Sequence, residues 1–115
     1  MNETNNSPIN TITEGTTIKG DIIANGDFRM DGILDGNLTL NGKLVVGEKG
    51  LIRGNIQCQI ANIIGRVEGN LEVKDHLTLY VQSSVKGDIA TNKLSIEPGA
   101  LFTGSCKMQD NVAKK

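Results

Sequence analysis

The sequence predicts an all-β chain folded as one parallel β-helix of about six coils. Three observations predict it. One short unit recurs six times, at uneven but similar steps along the chain. Aligning those copies produces apolar columns with a period of two. The 115 residues include 14 Gly but only two Phe, one Tyr and no Trp. An aromatic-poor, glycine-rich chain whose apolar content is Ile, Leu and Val suits short strands packed in aliphatic layers and joined by tight turns.

The repeated unit is an apolar residue, a polar one, Gly, then usually Asp or Asn, then an apolar one. It stands as Ile18-Lys19-Gly20-Asp21-Ile22, Leu34-Asp35-Gly36-Asn37-Leu38 and Ile52-Arg53-Gly54-Asn55-Ile56. It returns as Val67-Glu68-Gly69-Asn70-Leu71 and Val85-Lys86-Gly87-Asp88-Ile89, with Phe102-Thr103-Gly104-Ser105-Cys106 as a degenerate last copy. The glycines stand at 20, 36, 54, 69, 87 and 104, in steps of 16, 18, 15, 18 and 17. A strand-helix-strand unit needs about 30 residues. Steps of this length fit three short strands and three turns.

The columns assign each position. Two residues before the glycine stand Ile18, Leu34, Ile52, Val67, Val85 and Phe102. Two after it stand Ile22, Leu38, Ile56, Leu71, Ile89 and Cys106, and four after it Ala24, Leu40, Cys58, Val73, Thr91 and Met108. Period two places these side chains on one face, pointing into the coil. Four before the glycine the residues are small, from Thr16 through Gly32, Gly50, Gly65 and Ser83 to Ala100, as a tight corner requires. A further alternating pair completes each coil: Phe28/Met30, Leu44/Val46, Leu77/Leu79 and Leu94/Ile96, while in the third coil Ile60, Ile63 and Ile64 compete for it. The outward column Lys19, Asp35, Arg53, Glu68, Lys86, Thr103 alternates in sign until its last member. At a coil spacing of about 4.8 Å, opposite charges become neighbours, each pair contributing about 0.2–1 kcal/mol.

Residues 13–108 are therefore expected to form the solenoid, with 1–12 and 109–115 as disordered polar tails. A β-sandwich would not align in six columns with one Gly each, and dense glycines and β-branched residues exclude helix. The net charge of −1, without a basic stripe, argues against nucleic acid as a partner. No apolar run approaches the roughly 20 residues of a membrane span, and the N-terminus lacks the features of a signal peptide. The expected location is the cytoplasm.

Catalytic, cofactor and metal sites are not expected. His76, the only histidine, precedes the inward Leu77 and should face solvent with no acid or nucleophile positioned beside it. Cys58 and Cys106 fall in different inward columns three coils apart, roughly 14 Å along the axis. A disulfide needs Cα atoms within about 7 Å, so both are expected as small core residues. The Asp/Asn column after the glycines serves either as a side-chain ladder or as turn and backbone hydrogen bonding.

The remaining chemistry lies at the ends. A solenoid covers its flanks but leaves apolar side chains and unpaired strand edges on its two end faces, which soluble solenoids cover with caps. No amphipathic cap is evident here, and the last coil turns to Phe102, Cys106 and Met108 rather than to polar residues. Each end is expected to bind another copy of the chain. An apolar area of a few hundred Å² supplies about 5–10 kcal/mol before association costs. The residues expected at the joints are Thr16, Ile18, Ile22 and Ala24 at the N-terminal end. At the C-terminal end they are Leu101, Phe102, Cys106 and Met108.

The strings ITEGTTIKGDI in the first coil, GLIRGNI in the middle and LSIEPGALFTGSCKM in the last resemble the bactofilins across about residues 12 to 108. The resemblance implies a right-handed β-helix of triangular section, a handedness that crossover connections also favour. It implies a bacterial cytoskeletal protein that polymerises without nucleotide into non-polar filaments, like end joined to like end. Such filaments support cell shape, stalk or surface structures, or localise cell-wall and envelope proteins at the inner face of the membrane. The family's polymer contacts map onto the first coil around Ile18 and Ile22, and the last around Phe102. Many members begin with an apolar or basic membrane-binding stretch. Met1 to Asn10 has one acid, no base and only Met1 and Ile9 as sizeable apolar groups, a departure from that pattern.

Two other functions compete with a structural polymer. Left-handed β-helix acyltransferases have coils of similar length, but built from strict six-residue turns with a catalytic His in a trimer cleft. Uneven steps with one Gly per coil do not match them. A passive binding rod would present an aromatic stripe, and Tyr80 alone does not make one.

Overall fold

The computed structural model describes residues 9–108. Every strand pair in it is parallel, and three strand positions recur per coil. The first side stacks β2 (Thr17–Lys19), β5 (Ile33–Asp35), β8 (Leu51–Arg53), β10 (Arg66–Glu68), β12 (Ser84–Lys86) and β14 (Leu101–Thr103). The second side stacks β3 (Ile22–Asn25), β6 (Leu38–Asn41), the leading halves of β9 (Ile56–Ile63), β11 (Leu71–Leu79) and β13 (Ile89–Ile96), then β15 (Cys106–Met108). The third stacks β1 (Ile9–Ile12), β4 (Asp27–Met30), β7 (Lys43–Val46) and the trailing halves of β9, β11 and β13.

Five complete three-strand coils are thus preceded by the single strand β1 and followed by β14 and β15. Residues 9–12, expected to precede the solenoid, form β1 because Ile12 takes the register position below Met30. The tails 1–8 and 109–115 lie outside the described residues.

The observed registers are the glycine-aligned columns. Leu34, Ile52, Val67 and Val85 stack on the first side, and Leu38, Ile56, Leu71 and Ile89 on the second, all essentially inaccessible to solvent. On the third side Ala61 and Ile63 point inward under Leu77 and Leu79, while Ile60 and Ile64 lie on the outer surface, half-exposed. That settles the three-way competition in the third coil. The buried Thr91 turns its hydroxyl onto the Lys93 carbonyl at 3.1 Å, so an apolar column holds one satisfied polar group.

The uneven repeat length comes mainly from one corner. Between the third and first sides the chain turns in two residues at 31–32 and 64–65, but in four at 47–50, 80–83 and 97–100. The short corners fall in the two shortest glycine steps, from Gly20 to Gly36 and from Gly54 to Gly69. The long corners fall in the other three. The other two sides hold a nearly constant length, and so the columns stay aligned.

The Asp/Asn column bonds to backbone. Asn37 N–H donates to Asp21 Oδ1 at 3.1 Å, Asn55 N–H to Asn37 Oδ1 at 3.0 Å, and Asn70 N–H to Asn55 Oδ1 at 3.4 Å. Each side chain satisfies the coil above it at the turn between the first two sides. Asn37→Ala should lower stability by about 0.5–1.5 kcal/mol, while Asn37→Asp, which keeps the acceptor, should stay near the parent. Urea unfolding followed by circular dichroism separates them, and equal midpoints for both would remove this column from the stabilising contacts. In the outward charged column, Arg53 Nε lies 3.5 Å from Glu68 Oε1. With both side chains in contact with water, this pair contributes little.

Candidate functional site

Among the described residues the stack is open at both ends. At the N-terminal end β1, β2 and β3 each pair on one side only, with β4, β5 and β6. At the C-terminal end β14 and β15 do the same, on β12 and β13, and the trailing half of β13 pairs only with β11. Each end therefore carries three strand edges with unpaired backbone groups around an apolar face.

Of the residues expected at the N-terminal joint, Ile18, Ile22 and Ala24 sit below Leu34, Leu38 and Leu40 in the inward columns. They are only half-buried where the residues above them are fully buried, with no strand beneath β2 and β3 among the described residues. Thr16 occupies the exposed corner before β2, and its carbonyl accepts from Ile33 N–H at 2.8 Å. At the other end Phe102 sits half-buried above Val85. Cys106 sits above Ile89 but is exposed, unlike the core residue expected. Its column simply ends there. Met108 takes the register position of Thr91 in β15. Leu101 lies in the outward column with Ile33 and Leu51, 65% exposed on the flank of the last coil.

Three further residues complete the end faces. Ile12 of β1 occupies the third side at the N-terminal end. Leu94 and Ile96 occupy it at the C-terminal end, Ile96 being 49% exposed where Leu79 beneath it is 0%. The alternation of Leu94 and Ile96 is visible in the sequence. Their place on the end face follows from the trailing half of β13 having no strand paired above it among the described residues. Exposed apolar groups also gather on the flanks of the terminal coils, with Ile23 of β3 83% exposed and Leu101 at the opposite end.

Away from the ends, the described residues include one histidine and an open groove. His76 is half-buried rather than fully solvated, its Nε2 3.0 Å from Ser95 Oγ. A serine hydroxyl in that position orients the ring without supplying the acid that a catalytic pair requires. An open groove of about 580 Å³ beside β15 is lined by Glu72, Asp88, Ser105, Cys106 and Lys107 among others. No group of three potential metal ligands occurs among the described residues, and no helix there is long and apolar enough to cross a membrane.

The two thiols differ sharply. Burial pushes Cys58 up to about 12, whereas Cys106 lies open on the end face. In the unassembled protein one thiol per chain should react rapidly with a maleimide at neutral pH, the second only on unfolding. Peptide mapping that found Cys58 labelled first would contradict this. The raised Cys58 value also fixes a sign: the neutral thiol is favoured in the fold, so stability is intact below 9.0 and declines as pH rises from there towards about 12.

Comparison with known proteins agrees with this architecture. The bactofilin family profile, described as polymer-forming cytoskeletal, matches residues 10–107. Bactofilin BacO of Myxococcus xanthus (strain DK1622) is 32% identical over 97 residues, covering 84% of this chain and 77% of BacO. Bactofilin BacP of the same organism is 30% identical over 93 residues, covering 81% of this chain but 39% of BacP. The solid-state NMR structure of the cytoskeletal bactofilin BacA superposes with a TM-score of 0.79 at 32% identity, over 88% of this chain and 97% of that one. A β-solenoid of about six coils, matched along nearly its whole length by the profile of a polymer-forming family, makes this chain a member of the bactofilins, a structural cytoskeletal family.

Proposed function

We propose that this chain polymerises end to end, without a nucleotide, into filaments that join like ends to like ends. The filaments act in the cytoplasm, at the inner face of the membrane, as a scaffold for cell shape or for positioning cell-envelope proteins. The observation that carries the reading is the pair of ends left uncovered among the described residues, where the inward columns run to Ile18 and Ile22 below and Phe102 and Cys106 above. Burying them against another copy removes apolar surface from water and pairs the free strand edges. Membership of a polymer-forming family supports self-association. The surface gives nucleotide no evident role, since its glycines lie at strand turns and none opens a helix over a phosphate.

Negative-stain microscopy of the purified protein in nucleotide-free buffer with a chelator tests the polymer directly. Filaments one solenoid wide are expected, and a stable monomer at high concentration would overturn the proposal. Cys106 reports the polarity of the joints. A short bis-maleimide should yield covalent dimers linked Cys106 to Cys106, because only a joint between like ends brings two such thiols together. Filaments that never cross-link in this way would point to unlike ends in contact.

A further inference from the structure

The two end faces are not chemically equivalent. In a helical stack the three edge strands at one end stand at successive heights, each about one third of the 4.8 Å coil spacing above the last. The middle strand is β2 at the N-terminal end and β14 at the C-terminal end. A twofold axis through the middle strand brings all three edges of a second copy to equal separation. It sets β2 against β2, and β1 against β3. At the other end it sets β14 against β14, and β15 against the trailing half of β13.

The C–C joint formed in this way is lined by Leu94, Ile96, Phe102 and Cys106, with two Phe102 rings meeting at its centre. The N–N joint is lined by Ile12, Ile18, Ile22 and Ala24, and it also takes in Asn10, which occupies the inward register position below Phe28. Each N–N joint therefore desolvates two carboxamides that the apolar columns offer no partner, and its central residues are smaller. Among the described residues the C–C joint buries larger side chains and no such amide.

We infer that the two joints differ in strength, the C–C joint being the tighter, so that a dimer joined through its C-terminal ends is the unit from which filaments grow. This rests on the like-to-like reading above. It makes the N–N joint the place where filament length is set, with Asn10 weakening it.

The test uses Ile18→Arg, which blocks the N-terminal end, and Phe102→Arg, which blocks the C-terminal end. Both are checked for retained β-structure by circular dichroism and compared by analytical ultracentrifugation over a dilution series. Ile18→Arg should sediment as a dimer to a concentration at least about tenfold lower than Phe102→Arg does. The reverse order would overturn the inference while leaving like-to-like joints intact. Monomers for both variants where the parent forms filaments, with dimers appearing when the two are mixed, would instead overturn the like-to-like reading. Asn10→Leu supplies a test that does not depend on a disruptive charge. It should lengthen filaments and remove the dimer from the dilution series. Unchanged filament length in Asn10→Leu would also count against the inference.

Discussion

Gly69→Ala is expected to destabilise the solenoid by about 2–6 kcal/mol, a large part of the roughly 5–15 kcal/mol available to a domain. Two causes add. Gly69 has a φ of 138°, a region that residues with a Cβ enter at a cost of about 1–3 kcal/mol. Its added methyl would also run into the carbonyl oxygen of Gly54 in the coil below, and overpacking of that kind costs about 1–3 kcal/mol more. Gly20 separates the two effects. Its φ of 132° is similar, but it belongs to the first coil and a methyl there meets nothing within 4 Å. Gly20→Ala should therefore show only the backbone part, about 1–3 kcal/mol. Urea unfolding of the two variants at a concentration below assembly measures the difference. Equal losses would mean that the coil below yields freely and that stacking does not constrain this column.

The glycine column was legible because it encodes two constraints, a positive φ at every member but Gly36 and close stacking on the coil below at every member but Gly20. The inward columns were legible because a parallel stack repeats identical registers, so one alignment fixes all of them. What escaped the sequence lies where repetition fails. In the third coil Ala61 fills a position that Leu44 and Leu77 occupy beside it, and an alanine among Ile60, Ile63 and Ile64 does not announce itself as the inward residue. Residues 9–12 contain only Ile12 as a buried-type contact beside Asn10, too little period-two pattern to reveal a strand. Of the alternating charges, Arg53 and Glu68 do pair, yet such a column is also what any solvated flank tolerates. The end faces were legible in part. Ile18, Ile22 and Phe102 follow from the first and last glycine units. Ile12, Leu94 and Ile96 depend on which strand edges have no described neighbour, which no single repeat unit marks.

Leu77 and Leu94 occupy one column, one coil apart, and should respond to truncation in opposite ways. Leu77 is fully enclosed between Ala61 and Leu94, so Leu77→Ala leaves a cavity and should cost the fold about 2–5 kcal/mol. Assembly of whatever fraction remains folded should be unaltered, since the cavity lies a layer beneath the end face. Leu94 is half-buried with no coil above it, so its truncation should cost the isolated chain only about 1–2 kcal/mol. In a filament, however, Leu94 becomes interior, and a joint between like ends contains it twice. The critical concentration for assembly of Leu94→Ala should then rise at least about tenfold, each loss of about 1.4 kcal/mol from a joint being a factor of ten. Sedimentation of filaments across a concentration series measures that shift, and chemical unfolding at low concentration measures the fold. A Leu94→Ala variant that assembles like the parent would show that the layer holding Leu94 is not covered by a second molecule. The principle behind the pair is that a solenoid has a single kind of layer. The same leucine column is core at Leu77, which Leu94 covers, and half-open at Leu94, the position that the proposed joint covers.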